Sequence, residues 1–226
     1  QILINYGSNV NAMFDDKRTV LYLILDSGEN EYTAQTVRFL LQKGADPNIV
    51  TTIWSTSLCV AVAGWSPSIV KLLIDRGARV DVPESDGTYP IHRAKKKETL
   101  LLLLSKGAKI NTKTPNKWNL LHFLASTSSS GVSDDYAKSI IETAELALKQ
   151  GIDINAQAQY IHGGAFFVGT EYFYNATPLL TAVINNNPDM VKLLLEHGAD
   201  QNIKDSRKKK PIDYAQEIPE ILALFQ

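Results

Sequence analysis

The sequence predicts an all-α fold: a solenoid of stacked helix–turn–helix units with β-hairpin loops and one long aromatic insertion. Three observations predict it. The stretch Thr177 to Asp205 reads TPLLTAVINNNPDMVKLLLEHGADQNIKD, two short amphipathic helices around an Asn-Asn-Asn-Pro break. Its glycine terminator recurs along the chain. Neither helix is long enough to bury its apolar face alone, so each unit needs neighbours.

In that stretch Thr177 can cap the first helix, and Pro178 stands where its missing N–H costs nothing. Leu179, Leu180, Ala182 and Val183 form its apolar stripe. Met190, Val191, Leu194 and Leu195 repeat at helical spacing in the second helix, and Gly198 can end it in the left-handed conformation. Related terminators begin at Gly7, Gly44, Gly77, Gly107, Gly151 and Gly198, separated by 37, 33, 30, 44 and 47 residues. TPL followed by VKLLLEHGAD at this separation resembles an ankyrin repeat, and degenerate members extend the resemblance over nearly the whole chain. The period it implies is about 33 residues, so one interval matches, one is short and three carry insertions.

The resemblance implies a single domain over 1–226: the end of a truncated repeat (1–11), repeats at 12–48, 49–81, 82–111, 112–155 and 156–202, and a C-terminal cap at 203–226. The first full repeat has Thr19-Val20-Leu21-Tyr22, and the second has Thr56-Ser57-Leu58-Cys59, with the thiol expected buried. In the third, Tyr89-Pro90-Ile91-His92 matches well, but Lys95-Lys96-Lys97-Glu98 runs straight into Thr99–Leu104, as if the turn between helices were deleted. The fourth opens at Asn119 and carries a serine-rich loop, after which Asp134 or Asp135 can cap a long helix. Ala156 to Asn175 is the largest departure. About 15 of its residues exceed what a hairpin turn needs, and its glycines separate β-prone runs, which predicts a β-hairpin finger. Lys210-Pro211-Ile212 opens the cap, which Ile218, Ile221, Leu222 and Phe225 complete.

The composition narrows the function classes. The net charge of −1 gives no global field toward nucleic acid or an anionic membrane, and a single cysteine excludes an intrachain disulfide. The run Leu100 to Leu104, like every other apolar run of the sequence, is far too short to cross a bilayer. Four scattered histidines and Cys59 show no metal-ligand spacing, and the glycines at 163, 164 and 169 make neither a phosphate loop nor a dinucleotide fingerprint. No catalytic, metal or cofactor residue is assigned. His92 and His122 are expected to be structural, bonding backbone at the junction of hairpin and helix, as in the family they resemble. The terminator side chains, Asn48 and Asn111 among them, are expected to bond their own turns.

The remaining signals point to a protein partner. Trp54 and Trp118 precede first helices, and tryptophan is the residue type most enriched at binding hot spots. Trp65 sits between two helices, where it either seals neighbouring repeats or anchors a partner. Arg93 to Lys97 with Lys113 and Lys117 form one basic cluster, and Lys204 with Arg207 to Lys210 forms another. Their alternatives are solvated faces, an acidic partner segment, or a nuclear-import signal for the second run. No interleaved aromatics favour nucleic acid. The expected work is non-catalytic protein recognition on the concave hairpin and first-helix face, through Trp54, Arg93, Lys113 and Trp118. The finger residues Tyr160, Phe166, Phe167 and Tyr172 add contacts at one edge. The alternative is the substrate-selecting or targeting arm of a larger enzyme or secreted effector. The opening Gln1–Gly7 reads as the end of a second helix, which motivates it. A cytoplasmic setting is expected, the host cytosol for a delivered effector, with self-association not expected.

Overall fold

Helix pairs follow one another along the chain. They are α1 (Val20–Asp26) with α2 (Glu31–Gln42), α3 (Ser57–Gly64) with α4 (Pro67–Asp75), and a 3-10 helix (Pro90–Arg93) with α5 (Lys97–Ser105). Then come α6 (Leu120–Ala125) with α7 (Asp134–Lys149), α8 (Pro178–Ile184) with α9 (Pro188–Glu196), and a short final pair, α10 (Pro211–Tyr214) with α11 (Pro219–Leu222). Strands β1 (Ala158–His162) and β2 (Glu171–Ala176) pair antiparallel between α7 and α8. This computed structural model describes residues 7–49, 55–127, 131–162 and 171–225, with backbone alone at 160–162 and 171–174. The fold is a repeat solenoid of stacked helix pairs, as the sequence predicts, and the finger is a true hairpin at its base.

The starts are built alike. Thr19, Thr56, Asn119 and Thr177 accept from the backbone N–H three residues on, at 3.2, 3.2, 3.3 and 3.2 Å, satisfying a donor that the helix start leaves open. The ends are alike too. All six terminator glycines adopt positive φ, from 78° to 93°, a region in which a side chain is strained. The next residue then reaches back to the helix: Ala45 N–H donates to Leu40 O at 3.0 Å, Ala78 to Leu73 O at 2.9 Å and Ala199 to Leu194 O at 2.9 Å.

The chain forms two compact units, Gln1–Lys109 and Ile110–Gln226. In the first, α1 packs on α3 and α3 on the 3-10 helix, while α2 packs on α4 and α4 on α5. Leu21, Leu25, Val37, Leu58, Val70 and Leu100 are buried between these layers. In the second, α6, α8 and α10 stack in one row and α7, α9 and α11 in the other, over Leu120, Leu124, Leu180, Val183, Met190 and Ile221. Ala61, Ala94, Ala182 and Ala215, each five residues after the cap, are wholly buried, and their small side chains let first helices approach closely.

Three expectations are corrected in detail. The short third repeat keeps its linker, Ala94 to Lys96, and shortens its first helix to four residues of 3-10 form instead; Lys96 Nζ donates across to Trp65 O at 3.0 Å. Ser133, not Asp134 or Asp135, caps α7 by accepting from Tyr136 N–H at 3.3 Å, and the two aspartates fill the first turn. The terminator asparagines bond the next repeat, not their own turn. Asn48 Nδ2 donates to Gly77 O at 2.8 Å while its Oδ1 accepts from Arg79 N–H at 3.0 Å. Asn11 makes the same pair with Gly44 and Asp46, at 3.1 and 2.8 Å, and Asn111 with Gly151 and Asp153, at 3.4 and 3.2 Å. The local turn is held by residues two places earlier, such as Asp46, whose Oδ1 accepts from Asn48 N–H at 2.8 Å.

The amide of Asn48 thus links two repeats through one donor and one acceptor. Asn48→Ala removes both bonds and should cost about 1–2 kcal/mol in a urea titration. Asn48→Asp, which keeps the acceptor, should cost roughly half as much.

Candidate functional site

The hairpin tips are one structure made four times. Phe14 N–H donates to Arg18 O at 2.9 Å and Lys17 N–H to Phe14 O at 2.8 Å. The same two bonds join Glu84 with Thr88 and Gly87, Thr114 with Trp118 and Lys117, and Asp205 with Lys209 and Lys208. A turn of this kind ends on a residue with positive φ, ordinarily glycine. Gly87 fills that place once, at φ 80°; Lys17, Lys117 and Lys208 fill it at 58°, 64° and 64°. All three lysines are exposed, and none enters an ion pair among the described residues. A lysine there is strained by about 1 kcal/mol relative to glycine. Left-handed non-glycine residues at exposed tips are a mark of recognition sites.

The cations expected to flank these tips are more tied down. Arg93 bonds the buried carboxylate of Glu84 through Nε at 3.0 Å and Nη2 at 2.7 Å, and Lys113 Nζ lies 3.4 Å from Asp153 Oδ2. The second basic run is a fixed turn: Asp205 Oδ1 accepts from Arg207 and Lys209 N–H, both at 2.9 Å, and Tyr214 O–H donates to its Oδ2 at 2.5 Å.

Trp118 is half-buried. Its Nε1–H donates to Gln159 O at 2.5 Å, and Gln159 N–H donates to Asn116 O at 3.0 Å. Those two bonds fasten β1 to the tip holding Lys117. The indole edge meets Phe123 at 5.0 Å between centroids and packs on the Ala176–Leu180 cluster. Beside this junction lies a groove of 280 Å³ lined by Asn116, Lys117, Gln157, Gln159 and Asn175. Beside Pro115 and Ala158, its lining is four carboxamides and one ammonium group, polar groups suited to a peptide backbone or a carboxylate. Trp54, Phe166 and Phe167 lie outside the described residues, and Tyr160 and Tyr172 are placed by backbone alone, in β1 and β2.

The other candidates are structural. Trp65 is fully buried and its Nε1–H donates to Leu25 O at 2.9 Å, so it seals repeats. Cys59 is buried, and desolvation pushes its thiol up to about 12, so no thiolate forms near neutrality. Tyr89 N–H donates to His92 Nδ1 at 3.1 Å. His122 is wholly buried and its Nε2 lies 3.1 Å from Ala176 O, the residue that ends β2. Burial holds its imidazole down to about 4, so the ring is neutral and donates to that carbonyl. Sequence reasoning included Lys117 and Lys208 only as members of charge runs and passed over Lys17. Aligning each hairpin on Gly87, two residues before the helix cap, would have singled out all three.

Comparison with known proteins agrees with this architecture. A model of ankyrin repeats matches three times, at residues 27–114, 91–205 and 136–224. The human transient receptor potential cation channel subfamily A member 1 is 28% identical over 198 residues, 84% of this chain and 16% of that protein. Human ankyrin repeat and SOCS box protein 6 is 37% identical over 92 residues, 40% of this chain and 20% of that protein. The chain therefore spans a fifth or less of these two relatives. The fowlpox virus ankyrin repeat protein FPV230 is 27% identical over 78% of this chain and 82% of its own length. The crystal structure of the human ASB11 ankyrin repeat domain superposes with a TM-score of 0.75 over 99% of this chain and 88% of that one, at 22% identity.

Two outcomes test the site's physics. Lys117→Gly should raise stability by up to about 1 kcal/mol, read from the urea midpoint, because the strain it relieves exceeds the extra freedom of the unfolded glycine. For His122 the unfolded chain, with its ordinary value of 6.5, binds more protons than the folded one. Stability is therefore complete above pH 6.5 and falls as the pH drops toward 4, by about 3 kcal/mol at full protonation. His122→Gln should flatten that part of the stability–pH curve.

Proposed function

This chain belongs to the ankyrin repeat family, and on that premise we propose that it is a non-catalytic recognition module whose hairpin tips hold an acidic segment of a protein partner. Ankyrin repeats are protein-interaction modules, with variable tip residues carried on a rigid frame. One observation supports this reading above the rest: lysine occupies the strained place of glycine at Lys17, Lys117 and Lys208. Backbone strain of this kind clusters at ligand clamps and other functional sites. In each unit the tips thus present an ammonium group, which a carboxylate-bearing segment complements.

Around those tips Arg93 and Lys113 add charge held in place by Glu84 and Asp153. Trp54 and Trp118 supply apolar contact on the hairpin and first-helix face, and Tyr160, Phe166, Phe167 and Tyr172 extend it along the finger. The amide-lined groove beside Lys117 receives the partner's main chain. A buried reduced thiol at Cys59 fits a reducing compartment, and we place this work in the cytoplasm. A second reading, the recognition arm of a larger chain, is favoured by the matched region being a fifth or less of two human relatives. The open reading frame on either side decides it, since ankyrin repeats alone on both sides would exclude a catalytic neighbour.

The binding test uses substitutions that do not weaken the fold. A fluorescent peptide rich in Asp and Glu is titrated against the chain and against the Lys17→Gly, Lys117→Gly, Lys208→Gly variant. Binding should fall at least tenfold while the urea midpoint rises. Trp54→Ala should weaken the same peptide further. Equal affinity in the glycine variant would overturn the reading.

A further inference from the structure

Away from the tips, α7 and α9 present facing stripes whose spacing is helical. On α7 the stripe is Asp134, Ala137, Lys138, Ile141, Glu142 and Glu145; on α9 it is Asp189, Lys192, Leu193 and Glu196. Between them runs an open groove of 670 Å³. From Asp134 to Glu145 it extends ~16 Å along α7, about three helical turns. Its floor is apolar, made by Ala137, Ile141 and the buried Leu193. At its upper end, where Ala137, Ile141 and Asp189 also line a smaller cavity, the apolar floor continues to Val132 and Ile140. The loop above is fixed by Asn187 Nδ2, which donates to Thr127 O at 2.8 Å.

The rims carry five carboxylates against two ammonium groups. Lys138 stands four residues from both Asp134 and Glu142, and Lys192 four from Glu196, spacings that ordinarily close helical ion pairs. Among the described residues none of these pairs is closed: the ion pairs lie elsewhere, at Asp16, Asp75, Asp81, Glu84 and Asp153. The carboxylates on both walls remain open to a partner's cations, above a floor suited to its apolar side chains. We propose that this groove binds a cationic amphipathic helix, with one apolar stripe seated on Ala137, Ile141 and Leu193 and Lys or Arg residues beside it meeting Glu142, Glu145, Asp189 and Glu196. The helix-in-groove mode needs this combination of an apolar trough and flanks of the opposite charge. It is a second surface on the second-helix side, opposite in sign to the hairpin tips.

The probe is a synthetic helical peptide of about four turns, with a leucine stripe flanked by Lys and Arg, followed by fluorescence anisotropy against the full chain. A control peptide of identical composition has its leucines scattered around the helix. The first peptide should bind at least tenfold more tightly than the control, and Glu142→Lys with Glu145→Lys should weaken it at least tenfold while leaving the thermal midpoint within a few degrees. Lys117→Gly and Lys208→Gly should leave its affinity unchanged, which separates this site from the hairpin tips. Equal binding of the two peptides would reduce the effect to bulk charge and overturn the proposal. So would undiminished binding by the Glu142→Lys, Glu145→Lys variant. Sedimentation showing a dimer of the wild type that this double substitution abolishes would assign the groove to a second copy instead.

Discussion

No helix pair in this chain is stable alone, so every repeat depends on what couples it to the next. At Asn11, Asn48 and Asn111 the asparagine that ends a terminator supplies that coupling in polar form. Its side chain leaves its own turn and closes on the carbonyl of the next glycine and on the amide two residues beyond, as Asn48 does with Gly77 and Arg79. Both partners are backbone groups presented by the left-handed glycine turn that follows a helix. The glycine that ends one helix therefore also shapes the receptor for its neighbour's side chain. Apolar burial of Leu, Val and Ala between layers accompanies this polar link, and the two reinforce each other because both require the same stacking distance.

Against that frame the local departures acquire meaning. A frame so repetitive leaves little of its sequence free, and what is free lies at the tips and on the outward faces of the second helices. At the tips the backbone demands a left-handed residue, which glycine adopts without strain and lysine does not. At the junction of the finger, three groups act together. Trp118 and Asn116 hold β1, and His122 holds Ala176 where β2 meets the next helix. The long insertion is thereby attached to the repeat before it and aligned with the repeat after it, although 54 residues separate His122 from Ala176. The neutral imidazole that makes this bond is neutral because it is dry, so the same burial that secures the joint makes it sensitive to acid.

The two surfaces differ in how they are built. The tip cations sit on turns fixed by main-chain bonds, so their positions follow from backbone geometry. The groove between α7 and α9 is instead made by side chains, with Ala137, Ile141 and Leu193 beneath its charged rims. Among the described residues the tip lysines and the groove carboxylates enter no ion pair, positive on one surface and negative on the other. A chain whose formal charge nearly cancels can thus hold two surfaces of opposite sign.

Much of this was legible in the sequence. Thr or Asn caps, glycine terminators and Leu-Leu spacing determine helix pairs locally, since capping and the left-handed turn need nothing beyond a few neighbouring residues. The burial of Cys59 and the hairpin before Thr177 followed from the same pattern. What the sequence left open, tertiary contact decided. Trp65 could seal or anchor until Leu25, forty residues earlier, was seen to accept its N–H. The third repeat's missing residues came out of its first helix, and the linker it keeps carries the Lys96 that bonds Trp65. Local rules place the terminator asparagines in their own turns, because the true partners lie roughly one repeat away, a distance that no local rule spans. Lys17, Lys117 and Lys208 read as ordinary surface charge until their backbone angles were known, for strain belongs to a conformation and not to a residue type.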